Sequence, residues 1–117
     1  MSKVIIGTEL KLNVNIQPID GQTMDDYDFE VQIKGGRNSI SFIKRGVGAD
    51  TTLTNGLKKG DDSSNYIVAF NTQDLGVGRV VCRVIAHLYD NAFDFENHKR
   101  TEITEINTGI EVVKSLL

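Results

Sequence analysis

The chain has 117 residues, 39% of them hydrophobic and 25% charged, with 11 Gly, 1 Pro, 1 Cys and no Trp. That length holds one domain with its own core, residues 1–117, and ordinary apolar content excludes a disordered chain. No apolar run nears the roughly 20 residues of a bilayer span, and one cysteine excludes a disulfide framework or a multi-Cys zinc site.

Residues 1–7 and 114–117 read as irregular ends that carry apolar side chains (Val4, Ile5, Ile6, Leu116, Leu117). They lack the length and cleavage pattern of a secretory signal and are expected to serve as assembly arms, at least one packing on a neighbouring chain. After them the dominant period is two. Leu10, Leu12, Val14 and Ile16 alternate with Lys11, Asn13, Asn15 and Gln17, a strand with one wet face. Pro18 ends that ladder, having no N–H to donate, and Asp20–Gly21 supplies turn chemistry. Phe29, Val31 and Ile33 mark a second strand that stops at Gly35–Gly36, and Ile40 and Phe42 a shorter third.

Residues 46–64, rich in Gly, Asp and Ser, read as a long connection with a brief strand at most over 51–54. Tyr66, Val68 and Phe70 alternate again, and Asp74–Gly78 forms a compact turn. The longest strand is expected from Arg79 to Tyr89, with Val80, Cys82, Val84, Ala86 and Leu88 on one face and a mixed opposite face. Asp90–Asn97 reads as a loop whose Phe93 and Phe95 tuck back on the core. Thr101–Ile106 and Ile110–Val113 are either two short strands or one long strand broken at Thr108–Gly109, since Gly in a strand pattern marks a bulge. The sum is an all-β chain: an immunoglobulin-like β-sandwich of about seven antiparallel strands, without substantial helix.

The chemistry-bearing residues are few. Thirteen basic residues against sixteen acidic ones, the basic ones single or in pairs, do not make a phosphate-binding patch, so no nucleic acid is expected. Cys82 sits mid-strand on an apolar face and reads as core, not as a nucleophile. His87 reads as a sheet-surface histidine and His98 as a loop residue. No Gly-x-Ser-x-Gly elbow accompanies either. Three acidic groups, Asp25, Asp26 and Asp28, then Asp61 and Asp62, then Asp90, Asp94 and Glu96, invite a calcium reading. None has the Asp-x-Asp-x-Asp-Gly spacing, and solvated turns account for them. Gly76 and Gly78 precede a strand, not a helix, and lack a third glycine at position 81, so they are turn residues and no phosphate loop. No catalytic, cofactor-binding or metal-binding residue is assigned, no cofactor is implied, and the chain is expected not to be an enzyme.

Two stretches carry a resemblance. The first joins Leu10–Ile16, the Pro18–Gln22 turn and Tyr27–Ile33. The second runs from Tyr66–Phe70 through Asp74–Val80 to Phe93–Glu102 and Asn107–Val112. In this order they resemble the small immunoglobulin-like domains of virion proteins in phages and prophages of gut Bacteroidales, including the crAss-like phages. More distantly they are similar to the N-terminal domain of phage baseplate upper proteins. The shared signals are a leading strand, a Leu-Gly-x-Gly turn before a long strand, and a turn before a Thr-Gly-Ile strand. At that last turn Glu96, Asn97 and His98 stand where the relatives have Pro-Asp-Gly.

The resemblance implies a virion building block: a capsid auxiliary or decoration protein, a head-fibre component or a tail adaptor. Its partners would be other virion proteins, capsid, fibre or tail, as a homo-oligomer or in many copies per particle, with no nucleic acid and no membrane. Its location would be the virion, assembled in the bacterial host cytoplasm. The alternative on the residues alone is a small carbohydrate-binding sandwich that recognises a host-surface glycan.

Overall fold

A computed structural model describes residues 2–16, 23–46, 48–61, 65–93 and 99–117. They form nine strands: β1 (Ser2–Ile5), β2 (Glu9–Val14), β3 (Asp28–Lys34), β4 (Ser39–Arg45), β5 (Thr52–Leu53), β6 (Leu57–Lys59), β7 (Tyr66–Asn71), β8 (Gly78–Tyr89) and β9 (Lys99–Val113). Among the described residues the only helical pieces are three-residue 3-10 turns at Met24–Asp26, Gly48–Asp50 and Thr72–Asp74. One sheet has the order β1-β9-β8-β3-β4-β5 and the other β2-β7-β6. This is the variable-type immunoglobulin arrangement, in which two extra strands extend the sheet that holds the last two strands of the chain.

Alternation decides which face each strand buries. Phe29, Val31 and Ile33 of β3, Val68 of β7 and Val80, Cys82, Val84, Ala86 and Leu88 of β8 are buried between the sheets. Their neighbours in sequence point outward and stay wet. Phe29 stacks edge-on against Tyr66 across the core, with ring centroids 5.0 Å apart, which sets β7 over β3. β6 lies over β4. The three-stranded sheet therefore covers β4, β3 and β8, and the larger sheet overhangs it on the β9 side.

The strand count exceeds the expected seven for a local reason. β1 lacks period-two alternation, and β6 has a single apolar residue, Leu57, so neither announces itself. The amino-terminal segment is also not irregular: Ser2–Ile5 pairs with Ile110–Val113 of the same chain, in parallel, and Val4 and Ile6 pack against the core. Both expected arms keep exposed apolar residues: Ile5 on β1 is 44% exposed, and Leu116 and Leu117 stand in solvent. At the other doubtful place β9 is one long strand. Its register on β8 jumps from Val80↔Ile110 to Val81↔Asn107, leaving Thr108 and Gly109 as the bulge. Pro18, Asp20, Gly21, Asp62, Asp94, Phe95, Glu96 and His98 lie outside the described residues.

Candidate functional site

The strands converge on two ends, and the polar residues gather at one of them. β3 begins there at Asp28, β4 ends at Arg45, β6 ends at Lys59, β7 begins at Tyr66 and β9 begins at Lys99. We call it the upper end. Its centre is Lys44, which follows Ile40 and Phe42 on the inward parity of β4 and is 1% exposed. The ammonium donates to the carbonyl oxygens of Tyr27 (2.8 Å) and Asp25 (3.1 Å) and stands 5.8 Å from the Phe29 ring centroid. Burial pulls its pKa below the ordinary lysine value, against the opposing charges of Asp28, Asp25 and Asp26.

The acidic turn beside it is fully employed. Tyr66 donates its hydroxyl to Asp25 Oδ1 at 2.7 Å, and the Lys59 ammonium lies 3.1 Å from Asp25 Oδ2 and 5.1 Å from the Tyr66 ring centroid. Burial, and then the Asp25 carboxylate, push the Tyr66 phenol well above its usual pKa. Asp26 accepts from the backbone N–H and the hydroxyl of Thr23, and these bonds lower its pKa. Asp28 is pushed up by partial burial. The Gly46 N–H at 2.9 Å and the Lys99 ammonium at 3.5 Å outweigh that and hold it below the ordinary aspartate value.

These three carboxylates are the strongest of the acidic groups that invited a calcium reading, and each already faces donors of its own chain. Among the described residues no three His, Cys, Asp or Glu side chains come together as a metal site. Asp61 is exposed. Asp90 pairs with Arg100, which also pairs with Glu102.

His87 stands on the outer face of β8, opposite Asp28 of β3, with Nδ1 3.3 Å from the Thr101 hydroxyl. It borders an open depression of about 230 Å³ with Asp28, Lys44 and Lys99. Cys82 is 3% exposed, opposite Ile33, and burial raises its thiol pKa, so the nucleophilic thiolate is disfavoured.

The outer face of the six-stranded sheet carries the other notable feature. Cross-strand register lines up Ile103, Ile85, Glu30 and Ile43 as one row across four strands. Ile103 is 63% exposed, and Tyr89 on the same face is 62% exposed. Below the row Arg83 holds Glu105, Nε to Oε2 at 2.9 Å, and Gln32 donates to Glu30 at 2.7 Å. The Arg83 bond and charge lower the Glu105 pKa.

Sequence reasoning missed both Lys44 and Ile103, though each had a signal. Lys44 keeps the parity of Ile40 and Phe42. Ile103 and Ile106 are three apart in a strand, so one of them must face outward.

No protein-family model matches the chain, and no curated protein matches it.

Proposed function

We propose that the chain is a non-enzymatic structural component of a phage virion that acts through protein–protein contacts in repeated copies. The observation that carries this reading is the row Ile43–Glu30–Ile85–Ile103 on the outer face of the six-stranded sheet, apolar except for Glu30, with Ile103 63% exposed. An apolar patch with a polar rim is the usual surface of a subunit contact. The polar residues that do converge, around Lys44, point the same way. They hold one another and the backbone, as a structural lock does. The turn and strand order quoted for the virion domains adds the particle context.

Cryo-electron microscopy of particles made by the genome that encodes the chain tests the reading. Density for a nine-stranded sandwich in head or tail, with the Ile103 face against a neighbour, is the expected result. Purified intact particles that lack the chain overturn it.

A further inference from the structure

The crossing from one sheet to the other is a turn built on an Asn–Gly pair. β5 belongs to the six-stranded sheet and β6 to the three-stranded one, and only Thr54, Asn55 and Gly56 separate them. Leu57 N–H donates to Thr54 O at 3.0 Å, which closes the turn, and Gly56 takes φ +98°. Both flanks are tied down. Thr54 N–H donates to Ile43 O of β4 at 3.0 Å, and Gly56 O accepts from Ala69 N–H of β7 at 2.8 Å.

Between these anchors the two groups that can react with each other are unengaged. Asn55 is exposed, and its carboxamide makes no hydrogen bond among the described residues. The Gly56 N–H donates to none of them either. Asn55 is also the one asparagine of the chain that glycine follows. Asn71 and Asn107 are each followed by threonine, and each side-chain oxygen accepts the N–H two residues on, at 2.8 and 3.1 Å. Asparagine is a chemically labile residue, and a following residue without a Cβ leaves its own nitrogen open to approach.

We propose that Asn55 is a site of spontaneous modification and that its product releases the edge strand β6. The Gly56 nitrogen attacks Cγ of Asn55. The new N–Cγ bond closes a succinimide, the Cγ–Nδ2 bond breaks, and the Gly56 amide proton leaves with that nitrogen as ammonia. Water then opens the ring, so the sum is carboxamide plus water to carboxylate plus ammonia. Opening at one carbonyl gives aspartate. Opening at the other gives isoaspartate, whose main chain runs through Cβ and Cγ. That extra backbone carbon falls between two fixed points, Thr54 on β4 and Gly56 on β7. Gly56 has no room to shift inward: a Cβ there would already lie 2.8 Å from Phe42 Cε2 and 3.0 Å from Ala69 O. The lengthened chain therefore gives up the Leu57–Thr54 and Ala69–Gly56 bonds. β6 has three residues, and among the described residues it pairs with β7 alone, so losing the lead bond frees it. The inference is independent of any role in a particle.

Incubation of the full chain in mildly alkaline heavy-oxygen water, read by peptide mass spectrometry, tests the first step. One heavy oxygen is expected to enter at residue 55, ahead of every other asparagine. The folded chain and the chain unfolded in urea should differ in rate by no more than about tenfold, since an exposed turn opens at little cost. Label that enters residue 55 only in urea overturns the inference, as does faster labelling at another asparagine. Asn55→Gln, whose longer side chain would have to close a larger ring, is expected to lose the label, and equal labelling there also overturns it. Hydrogen exchange on the separated isoaspartate form tests the second step. Leu57 and Ala69 are expected to exchange about tenfold faster, with Val84 of β8 unchanged. Asn55→Asp carries the same charge on a chain of ordinary length and should leave both amides slow. Unchanged exchange in the isoaspartate form overturns the release of β6, and so does equal acceleration in Asn55→Asp.

Discussion

The two ends of the sandwich are closed by different physics. At the upper end side chains do the work: Lys44 ties Asp25 and Tyr27, Tyr66 ties Asp25, and Asp28 ties Gly46 and Lys99. At the lower end main chain meets main chain, apart from the buried Thr72 hydroxyl, which accepts from the Gly7 N–H and donates to Thr8 O. Arg37 and Asn38 both donate N–H to Leu75 O, at 3.0 and 3.2 Å, and Gly35 donates to Asn38 O at 2.9 Å. A Cβ on Gly36 would fall 1.7 Å from Val77 O, and one on Gly78 would fall 2.7 Å from Gly36 Cα. The upper end depends on charges that pH and salt can weaken. The lower end depends on the absence of atoms, which no solvent condition alters.

The largest effect is therefore expected from Gly36→Ala. The added carbon meets a backbone oxygen that cannot swing away, so the β3–β4 turn and the strand start at Gly78 must separate. The loss should be about 3 kcal/mol, the upper range of overpacking, measured by urea unfolding. A loss under about 1 kcal/mol would show that the lower end is looser than the contact implies. Next comes Lys44→Met, which keeps the volume but leaves two carbonyl oxygens without their donor. About 2 kcal/mol should be lost, since unsatisfied buried acceptors are costly. A stabilised variant would reverse the view of the upper end: burying the ammonium would then cost more than its bonds return.

The same contrast explains what the sequence could and could not say. The inward sets of β2 and β3 were legible because apolar and polar residues alternate without a break, those of β7 and β8 because an apolar residue holds every second position, and the Gly109 bulge was legible because glycine interrupts that pattern. Lys44 was hidden by its chemistry: a lysine that ends a strand reads as a wet residue, and only the Tyr27 and Asp25 carbonyls above it make burial tolerable. The acidic turn of Asp25, Asp26 and Asp28 was visible as a cluster. Its partners Thr23, Gly46, Lys59, Tyr66 and Lys99 come from five other places in the chain, which spacing does not reveal. β1 escaped because a four-residue strand beside β9 has no wet–dry alternation to display.

Acid should separate the two ends more gently than either mutation. Asp26 and Asp28 have folded pKa values below their ordinary 3.8, so the folded state binds fewer protons than the unfolded chain in that range. Their stabilisation is present above the unfolded value and is lost as pH falls through the lower, folded values. Glu105, lowered from 4.5, adds the same sign on the outer face. Lys44 does not enter here, because its lowered pKa acts only toward the alkaline side. The thermal midpoint should therefore drop as pH falls from about 5 to about 3. Exchange of the Gly46 amide should rise before that of Arg37 and Asn38. In Asp28→Asn the drop should be shallower. A simultaneous rise at both ends would mean that they open as one unit, and the contrast between them would carry no consequence for stability.

The smallest effect tests whether glycine itself, or only its surroundings, matters. Gly48 sits in the upper connection at φ +62°, with nothing within 4 Å of an added Cβ. Its cost on substitution is then purely conformational, the left-handed penalty of about 1 kcal/mol for an L-residue. Gly48→Ala should lose about that much, and Gly48→Asn less, because asparagine tolerates this conformation. Gly36 has no positive φ among the described glycines, so asparagine gives no relief there and its clash remains. If asparagine rescues neither position, the left-handed conformation is not what Gly48 is kept for. If it rescues Gly48 alone, one glycine is kept for its backbone angle and the other for the room it leaves.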